Sequence, residues 1–250
     1  MKDGPWFEDE EFWTAYAPIM FDEARWAEVP AVVDGIERLI RPLPGSAVLD
    51  ACCGPGRHSL ELASRGYRVT GIDITEAYLE AARESAAAWD PVPAPRFIRA
   101  DLREFRCSEA FDFAINLYTS FGYFAEPEDD LAALRRLREA LRPGGALLLE
   151  TTGKETAARD FTQGESFERG GWGVRTEFSV VGAWEGLRNR WILSRGDEVV
   201  DKSFVLRLYS GTEMRAALIG AGFASARIFG AVDGSPYDQR ASSLVALAVV

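Results

Sequence analysis

The chain is poor in cysteine and histidine, with three of the former and one of the latter in 250 residues. Cys52 and Cys53 are adjacent and Cys107 stands apart, which fits neither a disulfide framework nor a CxxC zinc or redox site. Reduced packing thiols and no metal centre are expected. No run of about 18 apolar residues occurs, which argues against a membrane-spanning helix. No cluster of Lys and Arg occurs either, and 39 acidic against 28 basic side chains leave a formal net charge of −11, a field that repels a phosphate backbone. Nucleic acid and membrane are therefore not expected as partners. The acidic start, Met1 to Glu11, lacks the basic and apolar segments of a secretory signal, so a cytoplasmic location is expected.

What is present is ordinary globular composition, 47% hydrophobic and 27% charged, in a length suited to one or two domains. The order of its patterns is informative. An aromatic-rich arm holding Trp6, Phe7, Phe12, Trp13, Tyr16, Phe21 and Trp26 precedes a helix predicted from about Pro30 to Arg41. Ala47-Val48-Leu49 reads as a short buried strand, and a helix from about Arg57 to Arg65 follows, stopped at Gly66. Further strands are predicted at Tyr67 to Asp73, Arg96 to Ala100, Phe111 to Leu117 and Ala146 to Thr151. Between them Thr75 is suited to cap one helix, and Leu131, Leu134, Leu137 and Leu141 form one stripe of another. Such β-α alternation predicts a parallel sheet with helices on both faces.

After Gly153 the period shortens to two. Val174, Thr176, Phe178 and Val180 alternate with polar residues, and Arg195-Gly196-Asp197 reads as a hairpin turn, so antiparallel hairpin material is inserted before a helix from about Thr212 to Ala221. Trp184 and Trp191 read as sheet contacts. Two closing strands, Ala224 to Gly230 and Leu244 to Val250, pair most simply as an antiparallel hairpin at the sheet edge.

The segment Asp50-Ala51-Cys52-Cys53-Gly54-Pro55-Gly56-Arg57-His58-Ser59 lies at the first strand-to-helix turn. Its glycines let a ligand approach the backbone, and the helix behind them offers free N–H groups. The third glycine of the dinucleotide fingerprint is replaced by Ser59, Pro55 removes a donor, and Asp50 would repel a pyrophosphate but attract an ammonium or sulfonium. Asp73 ends the next strand 23 positions further on, near the spacing of a ribose-hydroxyl acceptor, and Asp101 ends the third strand, where it could accept from an adenine amino group.

Together with Phe111-Asp112-Phe113-Ala114-Ile115-Asn116, the segment Leu117 to Phe124 and the turn Leu141-Arg142-Pro143-Gly144-Gly145, these motifs resemble class I S-adenosylmethionine-dependent methyltransferases over about residues 46–152. The insertion before the last helix is similar to small-molecule N- and O-methyltransferases, sugar-amine and glycine types included. The resemblance implies a Rossmann-like seven-stranded α/β sheet with helices on both faces. It implies four segments: an N-terminal helical arm or lid (1–45), the cofactor core (46–152), the β insertion (153–210), and a closing helix and hairpin (211–250).

The resemblance also implies S-adenosylmethionine as cofactor. Cys52, Gly54 and Gly56 would line its methionine part, Asp50 would hold its amino group, and Arg57 or Arg25 would pair with its carboxylate. Asp73 would take the ribose hydroxyls, Ile74 would pack on adenine, Asp101 with Leu102 would define the adenine edge, and Asn116 and Leu117 would lie beneath the methionine. The reaction expected is methyl transfer to an N or O atom of a small-molecule acceptor. Tyr16, Ser120, Phe121, Tyr123 and Tyr237 are candidates for the acceptor pocket, against the alternative that these rings only pack. Tyr16, His58 or a water could serve as a weak base, although His58, in a first helical turn, reads better as a hydrogen-bonding partner of the arm. A nicotinamide-dependent oxidoreductase and a methyltransferase-like binding protein without activity are the competing readings. Either a monomer or a homodimer fits.

Overall fold

In a computed structural model of the protein, residues 5–250 are described, and residues 1–4 of the acidic start lie outside the described residues. The arm folds as a 3-10 turn, Trp6–Glu8, and two helices, α1 (Glu10–Met20) and α2 (Glu23–Ala27). Each helix starts where an aspartate accepts an orphan backbone N–H: Asp9 from Phe12 (3.3 Å) and Asp22 from Arg25 (2.9 Å). Helix α3 (Val29–Ile40) has Pro30 in its first turn and buries Val33 and Ile36.

The chain then alternates through β1 (Ala47–Ala51), α4 (Arg57–Ser64), β2 (Arg68–Asp73), α5 (Glu76–Trp89), β3 (Arg96–Arg99), β4 (Phe111–Asn116), α6 (Pro127–Ala140) and β5 (Leu141–Thr151). A short helix, α7 (Lys154–Arg159), leads into β6 (Ser166–Arg169), β7 (Trp172–Val181), β8 (Gly186–Arg195) and β9 (Glu198–Arg207), and α8 (Gly211–Gly220), β10 (Ser225–Phe229) and β11 (Leu244–Val249) close the fold. Seven strands form one sheet in the order β10-β11-β5-β4-β1-β2-β3. The five strands from β5 to β3 run parallel, while β11 is antiparallel to both β5 and β10. This is a Rossmann-like α/β sheet with the closing hairpin at its edge.

Period-two alternation sends successive strand residues to opposite faces. Val48, Phe113, Ile115 and Leu148 meet Val33, Ile36 and Leu62 on one face. On the other, Leu49, Leu147 and Leu149 meet Leu134, Leu137, Met214 and Leu218. Each such buried leucine contributes about 1.5–3 kcal/mol. After β1 the chain runs outward to β2 and β3 and returns to β4 on β1's other side, so a crevice opens at the carboxyl ends of β1 and β4.

The structure departs from the sequence expectations at several points. The leucine stripe of α6 ends at Ala140, and Leu141 has extended backbone and pairs with Phe111. Arg142, held extended by the following proline, continues the strand, and Pro143-Gly144-Gly145 forms a bulge inside it rather than a turn before it. Thr75 occupies the N-cap position of α5, but its side chain caps nothing; Asp73 Oδ1 accepts the Thr75 N–H instead (2.9 Å). The inserted antiparallel material, as expected before the last helix, forms a four-stranded sheet of its own, β6-β7-β8-β9. Its inner face packs Trp172, Val174 and Leu193 against Ala15 and Ile19 of α1, which ties the arm to the insertion.

Candidate active site

The loop after β1 is shaped by three left-handed residues, Cys52 (φ 59°), Gly54 (φ 54°) and Gly56 (φ 78°). The turn is held by Cys53 N donating to Ile72 O (2.9 Å) and Gly56 N to Cys53 O (3.0 Å). Asp73 joins both turns at the carboxyl ends of β1 and β2, because its Oδ2 accepts Gly54 N (2.9 Å) while its Oδ1 accepts Thr75 N. Asp50 is 3% exposed and accepts the Ser59 hydroxyl at 2.6 Å. Burial pushes the Asp50 carboxyl up to about 7, with Ser59 opposing and the Asp73 charge assisting. Burial also raises Asp73, against the two backbone donors. Such carboxyls gain from a cationic ligand.

These groups line one end of a cavity of about 480 Å³. Cys52, Tyr118 and Thr119, three of the non-glycine residues with positive φ, all line it. Such backbone costs about 1–3 kcal/mol per residue and concentrates at functional sites. Arg57, 3% exposed, lies over the Tyr118 ring at 4.0 Å and donates through Nη1 to Arg25 O (2.6 Å). Burial lowers its pKa from the usual arginine value. His58 stacks on Tyr118 (5.4 Å), and its buried Nε2 has no protein partner. Burial, with Arg57 beside it, holds its imidazole well below the usual range.

The other end is walled by rings. Trp13, Tyr16, Phe7 and Phe21 come from the arm, Tyr123 and Phe124 from the segment after β4, and Phe178, Trp191 and Phe204 from the inserted sheet. The arm is pinned across this end: Trp6 stacks on Phe204 at 3.8 Å and its Nε1 donates to Tyr123 O (3.3 Å), Tyr16 meets Trp191 edge-on at 4.9 Å, and the Tyr78 hydroxyl donates to Trp13 O (2.7 Å).

Residues 48–145 match the family model described as "Methyltransferase domain". A cypemycin N-terminal methyltransferase from Streptomyces sp is 32% identical over 112 residues, 45% of this chain and 44% of that protein. A dTDP-3-amino-3,4,6-trideoxy-alpha-D-glucopyranose N,N-dimethyltransferase from Streptomyces venezuelae is 27% identical over 133 residues, 52% of this chain and 54% of that protein. The matched segment thus spans about half the length of these curated relatives. An S-adenosylmethionine-dependent methyltransferase structure from Clostridium acetobutylicum superposes with a TM-score of 0.76 at 12% identity, over 96% of this chain and 98% of that one. Residues 48–145 thus match a methyltransferase domain, and the chain as a whole has the fold of a solved S-adenosylmethionine-dependent methyltransferase.

Within this methyltransferase fold, Arg25, Asp50, Cys52, Gly54, Arg57, Asp73, Ile74, Asp101, Leu102 and Leu117 come together at the cavity wall, with Tyr16, His58, Ser120 and Tyr123. Four expected residues stand elsewhere. Gly56 turns away, for a Cβ there would lie 2.9 Å from Ala82 Cβ and from Phe97 Cζ, so its role is to let α4 and α5 approach. Asn116 is wholly buried behind the wall and donates to Ala51 O (3.0 Å), tying β4 to β1. Phe121 belongs to the core, packed on Tyr209. Tyr237 donates to Glu155 (2.8 Å) beside Gly153 and Gly211, away from the cavity.

Asp101 lines the cavity but is engaged by Arg103, which bonds both its oxygens and, against burial, holds its carboxyl below the usual range. Ser59 stands where a dinucleotide fold has its third glycine, and its bond to Asp50 is one that no glycine can make. Thr152, Leu187, Asn189 and Leu206 line the cavity without a motif in the sequence to mark them, and Trp191 lines it as well as contacting the sheet. The same-face spacing of 187, 189 and 191 was a usable signal, but which face looks inward depends on where the second sheet docks.

Proposed function

We propose that the protein transfers a methyl group from S-adenosylmethionine to an N or O atom of a small-molecule acceptor, with the 46–152 segment holding the cofactor, the 211–250 segment completing its core, and the 1–45 and 153–210 segments enclosing the acceptor. The observation that carries this reading is one cavity with two chemically distinct ends, buried carboxyls Asp50 and Asp73 around a glycine turn at one and aromatic rings at the other. The residues present fit the cofactor: Asp50, pushed up to about 7 by burial, regains its charge beside an ammonium, Asp73 has acceptor capacity beyond its two backbone bonds, and Arg57 is a buried cation for a carboxylate.

When bound, S-adenosylmethionine supplies a methyl group made electrophilic by its sulfonium. The chain's own contribution is alignment and exclusion of water. Ile74 and Leu102 offer apolar surface to an adenine, and Gly54 lets the methionine part approach the backbone where a Cβ would stand 3.2 Å from Phe21 Cζ. Holding two reactants in line is worth up to about 7–11 kcal/mol in the best intramolecular cases. Burial raises the Tyr16 and Tyr123 phenols and lowers His58, so the tyrosines keep their protons and the imidazole takes one only weakly at neutral pH. The acceptor's proton therefore leaves to water, and positioning carries the rate.

Calorimetry with S-adenosylmethionine and S-adenosylhomocysteine tests the reading. Binding of either, with NAD(H) failing to compete, is the expected result; a folded protein that binds neither, or binds NAD(H) in preference, sinks it.

A further inference from the structure

Resting on the methyl-transfer reading above, the acceptor end of the cavity has a composition that defines what can enter. Its wall on the inserted sheet is built from cross-strand rows: Asn189 on β8 is flanked by its partners Phe178 on β7 and Phe204 on β9, and Leu187 faces Leu206 beside them. Period-two alternation turns the charged neighbours outward, where Arg190 pairs with Asp201 and Glu177. Lys202, opposite Trp191, is ion-paired with Asp9 of the arm and is not part of the cavity wall.

The charged residues of the wall are Arg25, Asp50, Arg57, Asp73 and Asp101, and none of them comes from the inserted sheet. Arg25 and Arg57 are joined by a hydrogen bond, both over Tyr118. Among the described residues, the wall built by the inserted sheet thus offers no cation for a phosphate or carboxylate and no carboxylate for a protonated amine. An ion buried without a partner is strongly disfavoured.

One group breaks the apolar surface. Asn189 is 7% exposed, its Nδ2 donates to Leu187 O (2.7 Å), and no described residue donates to its Oδ1. Asn189 lines the cavity, so this oxygen is open to a donor that enters it. We propose that the methyl acceptor is an uncharged, largely apolar molecule carrying a hydroxyl or N–H group, and that Asn189 Oδ1 receives that donor. In the transfer, a lone pair of the acceptor atom forms the bond to the methyl carbon, the carbon–sulfur bond breaks with its electrons staying on sulfur, and the acceptor's proton passes to water. A nucleotide-sugar acceptor, of the kind named for the Streptomyces venezuelae relative, finds no cation for its diphosphate on the inserted-sheet wall.

The test uses the intact protein saturated with S-adenosylhomocysteine, so that a failure of cofactor binding is seen first and counts against the methyl-transfer reading alone. Equilibrium dialysis then measures 2-naphthol, naphthalene, thymidine diphosphate-glucose and benzylamine. The expected result is that 2-naphthol binds about tenfold or more tightly than naphthalene, that Asn189→Leu brings the two within about threefold, and that the two charged probes do not bind. Leu187→Lys should weaken 2-naphthol at least about tenfold without altering the S-adenosylhomocysteine affinity, and Phe178→Lys serves the same purpose should the first variant not fold. Binding of either charged probe in preference to 2-naphthol, or a 2-naphthol affinity equal in all variants, overturns the proposal.

Discussion

Asp50 shows how one side chain links burial, protonation and binding. Its carboxyl is pushed up to about 7 by burial in the folded chain, against an ordinary value of 3.8, so the folded state holds the proton more tightly than the unfolded one. The stability it contributes is therefore complete below about pH 3.8 and is lost as pH rises through about 7. The ligand-free protein should lose thermal stability across that window, and Asp50→Asn should flatten the loss, as followed by melting temperature from pH 5 to 8. Affinity for an ammonium-bearing ligand runs the other way. Calorimetry should show S-adenosylhomocysteine binding weakening by up to about tenfold per unit as pH falls below about 7, since each proton must leave before the ion pair forms. Asp50→Asn should cost about 1.5–3 kcal/mol of binding, the worth of a hydrogen bond to a charged group, and remove that dependence. Gly56 answers a different demand. Gly56→Ala combines a φ of 78° with a Cβ 2.9 Å from Ala82 and Phe97. A cost of about 1–3 kcal/mol, at about 2–4 °C per kcal/mol for a chain of this size, should appear as a lower melting temperature.

At the scale of elements, helix α6 is the clearest case of packing that follows from spacing. Leu134 and Leu137 are both fully buried on the face that meets β5 and α8. Leu134→Ala should lower unfolding free energy by about 2–5 kcal/mol in denaturant titration, while S-adenosylhomocysteine affinity stays within about twofold. The strand-to-helix turn of β1 and α4 was equally legible, because glycine spacing, a terminal aspartate and a following apolar helix are local signals. The ends of elements were harder to read. Leu141 has the spacing to continue the α6 stripe, yet the strand partner Phe111 and the proline two residues on take it into β5. Gly56, Asn116, Phe121 and Tyr237 have the residue types of a site but face α5, β1, the core and Glu155. Side-chain direction at a turn depends on what packs behind it, which spacing along one segment does not encode.

At the scale of the whole molecule, two sheets and an arm that are far apart in sequence meet around one cavity. The arm is fastened at both ends, through Trp6 on Phe204 and through Ala15 and Ile19 on the inserted sheet. Trp6→Ala should therefore release the arm without unfolding the Rossmann-like core. Hydrogen exchange should rise in residues 5–27 and remain unchanged in β1, β4 and β5. Unchanged exchange in the arm would show that the stack does not hold it. Among the described residues no helix is long and apolar enough to cross a membrane. The sequence by itself determined the parallel sheet, the glycine turn and the acidic ends of β1 and β2, because each is written in residues close together along the chain. Only the tertiary structure decided that Phe178, Asn189 and Phe204 face the same space as Tyr16 and Tyr123, since that depends on how a second sheet docks against the first, and many distant contacts share that choice.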